Sequence, residues 1–322
     1  MPAVRASLGA LGSALALSGC AYVARQLTVA YLKVDALTSP KEIAIELDRS
    51  FIERFRNRVT IDAPFIVDLA TVEPNGAEFD GDMHVVGRSA VIGLPIVMEI
   101  ANAAHAPAAM DLIHHEAGNG KALRVMGVWR IWPEHAGGEV ERQGEPVKPI
   151  DRTYPSHVFE IHPVIRIEDQ DLSATFRPVK GYRPGSAEST LEIYEKATAT
   201  LTVGPKTVQL VTQTNLFNDL HFVMEISADP QLVVADGRFV TASALSLKGD
   251  LLVRNLRMVF ARGTPPELVV RNRRRGDRLH VWGMPRINYA EVARRAARAA
   301  VDPSGLSGRL PYEIIVIGVY DE

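Results

Sequence analysis

Cysteine is almost absent from this 322-residue chain: the one thiol is Cys20. No disulfide can brace the region after it, and no cysteine cluster can hold a metal there. An excess of one charge is absent as well. Thirty-six Lys and Arg stand against 38 Asp and Glu, a formal charge of −2, so no global field attracts nucleic acid. After Cys20 no segment reaches the roughly 20 apolar residues of a membrane span without meeting a charge. No G-x-S-x-G elbow, P-loop or G-x-G-x-x-G occurs, and Gly118-Asn119-Gly120-Lys121 lacks the remaining spacing of a phosphate loop. What the chain does have is apolar residues, 47 % of the total, enough for real cores. Its length suits two domains of about 150 residues each.

The lone thiol stands at a telling place. Met1 to Arg5 give a short positive start, Ala6 to Ala16 a short apolar segment, and Leu17-Ser18-Gly19-Cys20 follow. The apolar segment is too short to cross a bilayer and has the order of an export signal. Leu17-Ser18-Gly19-Cys20 resembles the lipobox of bacterial lipoproteins. The resemblance implies a signal peptide over residues 1–19 and diacylglyceryl attachment at Cys20, with further acylation because one chain binds membranes only marginally. An ordinary secretory signal cut after Ala21 is the alternative. Ala21 is not the aspartate that favours inner-membrane retention, so the resemblance implies the periplasmic face of the outer membrane. A nucleophilic cysteine is excluded if Cys20 is acylated.

Strand signals dominate the remainder. "KEIAIELD" alternates Ile43, Ile45 and Leu47 with polar neighbours, the period of a half-buried strand. Asn75-Gly76 and Asp236-Gly237 lie between alternating runs and predict hairpins, because these residues tolerate positive φ. A further turn is expected at Gly204-Pro205, and "YEIIVIGVY" reads as a buried closing strand. Helices are few: a short one at "SFIERFRNR", one at "APAAMDLIHHEAG" with Pro107 in its first turn, and one at "NYAEVARRAARAAVDP" with Asn288 as cap. A faint repeat sets "IVMEIANA" at 96–103 beside "FVMEISAD" at 222–229. It continues with "LRVMGVWRIW" beside "LLVRNLRMVF" and "HVFEIHPVIRI" beside "LHVWGMPRINY". These features give a β-rich α+β fold of two small antiparallel barrels, the first domain over residues 20–175 and the second over 176–322.

The densest polar grouping is "WRIWPEHAGG…SHVFEIHPV", residues 129–164. On an extended strand Glu160 and His162 share a face, so the carboxylate can fix the imidazole's tautomer or raise its pKa. Glu134 and His135 end the preceding strand and can fall alongside. Two histidines and a carboxylate make a minimal metal set, and a His–Glu pair a minimal general base. The competing reading is a loop tie beside Pro163, an edge or bulge residue. Val125, Gly127, His135, Phe159, Glu160, Ile161, His162, Pro163 and Val164 resemble a pattern of uncharacterised exported bacterial proteins carrying an I-E-L-H-P-V segment. That resemblance covers about 40 residues and implies a small barrel of oligomer-binding (OB) type. Ser156-His157 stand where those proteins have Asn.

Other features weigh less. His114 and His115 diverge on a helix and suit the negative end of its dipole. His84, His221 and His280 lie singly among apolar residues and read as core or rim. Trp129 and Trp132 are expected on opposite faces of one strand, one in the core and one at a barrel mouth. The basic run Arg271–Arg278 reads as a solvated hairpin tip or a contact for anionic lipid heads. The leading functional expectation is a lipid-anchored, non-enzymatic binding or scaffold protein of the cell envelope. Its partners would be the membrane through Cys20 and an envelope protein or polysaccharide, without nucleic acid and without a cofactor. The alternative is a metal-binding protein or hydrolase centred on His135, Glu160 and His162, with Glu134 as a further candidate.

Overall fold

Ile43, Ile45 and Leu47 are all buried on one face of the first described strand, β1 (Glu42–Asp48). The structure is a computed structural model that describes residues 41–138, 140–214, 216–299, 301 and 306–320. Cys20, its lipobox and the export signal lie outside the described residues. After β1 come α1 (Arg49–Phe55), β2 (Thr60–Ala70), β3 (Met83–Arg88), β4 (Pro95–Ile100), α2 (Pro107–Glu116), β5 (Ala122–Ile131), β6 (Val140–Arg142), β7 (Phe159–Ile167) and β8 (Gln170–Asp171). The second half holds α3 (Ala187–Lys196), β9 (Thr198–Val203), β10 (Thr207–Gln213), β11 (Leu220–Ile226), β12 (Leu232–Val234), β13 (Gly237–Leu245) and β14 (Leu251–Ala261). It ends with α4 (Pro265–Val270), β15 (Arg278–Ile287), α5 (Tyr289–Arg298), β16 (Ser307–Arg309) and β17 (Tyr312–Val319).

Two closed five-stranded barrels result. In the first, β2 pairs with β3, β3 with β4, β4 in parallel with β7, β7 with β5, and β5 returns to β2. In the second, β11 pairs with β13, β13 with β14, β14 in parallel with β17, β17 with β15, and β15 returns to β11. Each barrel carries a helix, α2 or α4, between its third and fourth strands. This is the connectivity of an OB barrel. A third sheet, in the order β16-β9-β10-β1-β6, draws strands from both halves of the chain. Residues 42–322 accordingly form one compact unit.

The barrels correspond strand for strand, and this changes the register of the repeat. The strand paired with β7 is β5, "LRVMGVWRI"; the strand paired with β17 is β15, "LHVWGMPRI". Leu123, Val125, Gly127, Arg130 and Ile131 therefore match Leu279, Val281, Gly283, Arg286 and Ile287. The alignment of "IVMEIANA" with "FVMEISAD" equates β4 with β11, a third strand with a first. By topology β4 matches β14, and Met98, paired with Ile161, matches Met258, paired with Ile314. The shared "VME" string misled the reading by one to two strands.

Several local expectations hold. Asn288 caps α5 by accepting a hydrogen bond from the Glu291 amide at 3.1 Å, β12 and β13 meet around Asp236-Gly237, and β9 and β10 turn at Gly204. Others do not. Asn75-Gly76 falls inside a long connection between β2 and β3 rather than in a tight hairpin. Arg271–Asp277 join α4 to β15, so the basic run is not a hairpin tip between strands. Trp129 and Trp132 are both buried: β5 ends at Ile131, so alternation no longer governs Trp132, whose indole donates to the Phe217 carbonyl at 3.0 Å.

Candidate functional site

Both barrels bury an arginine–glutamate pair at the same place. On β5 and β7 Arg130 is 0 % exposed and Nη1 binds Glu160 Oε2; on β15 and β17 Arg286 is 0 % exposed and its Nε donates to Glu313 Oε1 at 2.7 Å. The two arginines are exchanged between barrels. Arg130 Nε donates to the carbonyl of Pro285 at 2.8 Å, and Arg286 Nη1 to that of Trp129 at 3.0 Å. Each thus reaches the residue just before the other. Arg286 also lies over the Trp129 ring, 3.7 Å from its centroid, and donates to the carbonyls of Val59 and Arg58. A buried charge pair is tolerated when further hydrogen bonds satisfy its remaining polar groups. Arg130–Glu160 meets that condition, whereas Glu313 Oε2 makes no hydrogen bond and has only the Arg257 charge at 3.3 Å; both pairs join the barrels.

Around the pair in the first barrel the chemistry goes further. His162 on β7 is 1 % exposed. Its Nε2 is hydrogen-bonded to Asp82 Oδ2 at 2.8 Å and is the donor whenever the imidazole carries its proton there. Its Nδ1 lies 3.5 Å from both Glu99 Oε2 and Glu160 Oε2 and makes no hydrogen bond. Glu99 on β4 in turn lies 3.4 Å from His84 Nε2 on β3, and Glu160 Oε1 lies 3.3 Å from His157 Nε2. Asp82 also accepts from the amide of Asn102, whose side chain donates to the carbonyls of Thr175 and Arg177.

Electrostatics follow from this crowding. Burial works against charge on His162, but the charge of Glu99 and the bond to Asp82 outweigh it and hold the imidazole well above its ordinary pKa. Burial would raise Glu160, yet the Arg130 charge and the His157 bond hold it well below the carboxylate range. Asp82 is pushed up to about 7 by burial, against the pull of His162. Asp82, Glu99 and His162 each offer a ligand atom within 4.8 Å of the others, so this group has the donor set to hold a metal ion.

Of the residues singled out from sequence, Glu160 and His162 come together in this centre. His135 does not reach His162: it stacks on His157 at 5.2 Å between ring centroids, with its side chain 43 % exposed. Glu134 keeps a buried, unpartnered Oε2, and burial pushes its carboxyl up to about 8 against the pull of Arg130. Asp82 and Glu99 escaped the sequence reading, and His84, expected in the core or at the rim, stands beside this centre through Glu99. Parallel pairing of β4 with β7 brings Glu99 in, and the β2–β3 connection brings Asp82, neither of which leaves a local pattern.

No protein-family model matches the chain, and no curated protein matches it. Among solved structures, one described as "Structural mimicry for functional antagonism" aligns with 82 % of this chain and 95 % of its own length at 11 % identity. Its TM-score of 0.19 carries no argument.

Proposed function

We propose that this chain is a lipid-anchored periplasmic protein of the cell envelope that binds a polysaccharide or another envelope protein without catalysing a reaction. The observation that supports this most is a groove of about 450 Å³ in the connection between β5 and β7, lined by three cations, Arg142, Lys148 and Arg152, and three carboxylates, Glu141, Glu145 and Asp151. In OB barrels the connection between the fourth and fifth strands is one of the two that hold extended ligands. The other, between the first and second strands, is here residues 71–82, and the two touch where the Tyr154 hydroxyl meets Asn75 at 3.5 Å. The lipobox supplies the tether. The exposed arginines of 271–275, next to exposed Leu268 and Val269, suit contact with anionic headgroups. The hydrolase reading has less support, because His162, Glu160 and Asp82 are buried and His135 stands apart.

The test has two arms. Mass spectrometry of the native product is expected to find acylated Cys20 at the amino terminus of the mature chain, and retention of the Cys20→Ser protein on isolated envelope polysaccharide and envelope protein is expected to fall in Arg142→Glu/Arg152→Glu. An unmodified thiol overturns the tether, and retention unaffected by the double substitution overturns the groove.

A further inference from the structure

The two barrels allow each buried polar residue to be compared with its counterpart. Strand pairing sets Glu160 against Glu313 and Arg130 against Arg286, so that pair belongs to the common plan. The rest of the centre does not. Glu99 sits one residue beyond the Met98–Ile161 pair, as Val259 sits beyond Met258–Ile314. His84 faces Glu99 across the ladder, as Phe239 faces Val259. Two residues before these stand Asp82 and Gly237. The counterparts Phe239, Val259 and Ile315 are buried in an apolar cluster. This fold therefore closes these positions without any charge.

The counterpart of Ile315 is the most altered. Both barrels carry one irregularity near the glycine they share, at Met126/Gly127 and at Trp282/Gly283. The first barrel has a second, between Gly127–Val164 and Trp129–Ile161, where the partner strand holds one residue more. His162 and Pro163 together face Val128, where Ile315 alone faces Met284. Such a bulge re-aims a side chain and is common beside functional sites.

We propose that the first barrel binds one divalent transition-metal ion of the zinc type, held by His162 Nδ1 and Glu99, with Asp82 orienting His162 through Nε2 and His84 beside Glu99 outside the ligand set. The 3.5 Å between His162 Nδ1 and Glu99 Oε2 is too long for a good hydrogen bond. It matches the separation of roughly 3.4 Å between two ligands on a tetrahedral ion with bonds of about 2.1 Å. His84 Nε2, 3.4 Å from Glu99 Oε2, neighbours this group through Glu99 and is not among the ligand atoms that lie within 4.8 Å of one another. A ligating histidine characteristically donates its other ring N–H to a carboxylate, as His162 Nε2 is placed to do to Asp82. Imidazole and carboxylate together select zinc or its neighbours. The exposed ring of Tyr154 lies 4.7 Å from that of His84.

The test uses the full chain with Cys20→Ser, stripped with chelator, and zinc chloride as the probe. Calorimetric titration and elemental analysis after dialysis are expected to give one ion per chain. Glu99→Val and His162→Ile carry the second barrel's own residues and are expected to fold by circular dichroism and to lose at least 100-fold in affinity. Asp82→Asn is expected to lose 10- to 100-fold. His162→Gln is the second variant if His162→Ile does not fold. Absence of saturable zinc uptake, or uptake equal in wild type, Glu99→Val and the folded His162 variant, overturns the proposal. Neither result bears on the acyl tether or the groove.

Discussion

Replacing Arg286 by methionine tests whether the exchanged arginines hold the two barrels together. Methionine fills most of the volume but removes every donor. Glu313, 1 % exposed, keeps Arg257 Nη1 at 3.3 Å and loses its bond of 2.7 Å to Arg286. The carbonyls of Val59, Trp129 and Arg58 lose their donor at the same time. Breaking a buried ion pair from one side costs about 3–5 kcal/mol. Arg257 draws this case toward the lower end, and the three carbonyls, each worth roughly 1 kcal/mol net, raise it again. A loss of about 6 kcal/mol is expected in urea unfolding at unchanged m-value. That corresponds to a fall in Tm of roughly 10 °C or more. Arg286→Met/Glu313→Leu removes the stranded carboxylate and is expected to recover about half of the loss. A single-variant loss below about 1 kcal/mol, or a double variant as unstable as the single, refutes the assignment.

Two further outcomes follow from the same packing. A Cβ at Gly127 would stand 2.5 Å from Ile161 Cγ2 and 2.8 Å from the Pro163 carbonyl, and one at Gly283 would stand 2.5 Å from Ile314 Cγ2 and 3.0 Å from the Ile315 carbonyl. Gly127→Ala and Gly283→Ala are each expected to cost about 1–3 kcal/mol in the same unfolding assay. Burial raises the pKa of Asp219 even though Tyr182 and Trp282 donate to it. The folded state therefore holds this proton in a window from the ordinary aspartate value of 3.8 upward, and stability falls as pH rises through that window. Asp219→Asn, which keeps an acceptor for both donors, is expected to match the wild type near pH 4 and to gain on it by pH 8, measured as the urea midpoint against pH.

How much of this could be read from the chain depends on the range of the interaction. Alternation at Ile43, Ile45 and Leu47 and the cap at Asn288 are local, and both elements form where they were expected. The two barrels were legible from dense short strands with turn residues between them. Helix α3 was not, because Pro178, Gly181, Pro184 and Gly185 mark a break just before it, while "AESTLEIYEK" buries only Ala187, Thr190, Leu191 and Tyr194. The repeat was visible but misregistered: "VME" is identical in two strands, yet Gly127 and Arg130 recur five barrel strands later as Gly283 and Arg286. Spacing within a strand, which pairing constrains, proved a better guide than short identity. The centre itself needed Asp82 and Glu99, which closure of the barrel brings to His162 from elsewhere in the chain.

The internal comparison also separates two meanings of a buried charge. Arg130–Glu160 and Arg286–Glu313 occupy equivalent places, donate across the same interface and answer one structural need, the joining of β5 to β15. Had only one barrel been present, Glu160 would look as much like a reactive group as His162 does. With both, Glu160 is largely accounted for by Arg130, whereas His162, Glu99 and His84 stand where Ile315, Val259 and Phe239 suffice for folding. Desolvating those three side chains works against stability, since an apolar set of similar volume is often neutral or stabilising by about 1–4 kcal/mol. The extra residue at His162–Pro163 adds a disturbance of the ladder that the second barrel does without. A cost carried by one barrel and avoided by the other needs a cause outside folding, and a cation between His162 and Glu99 supplies one.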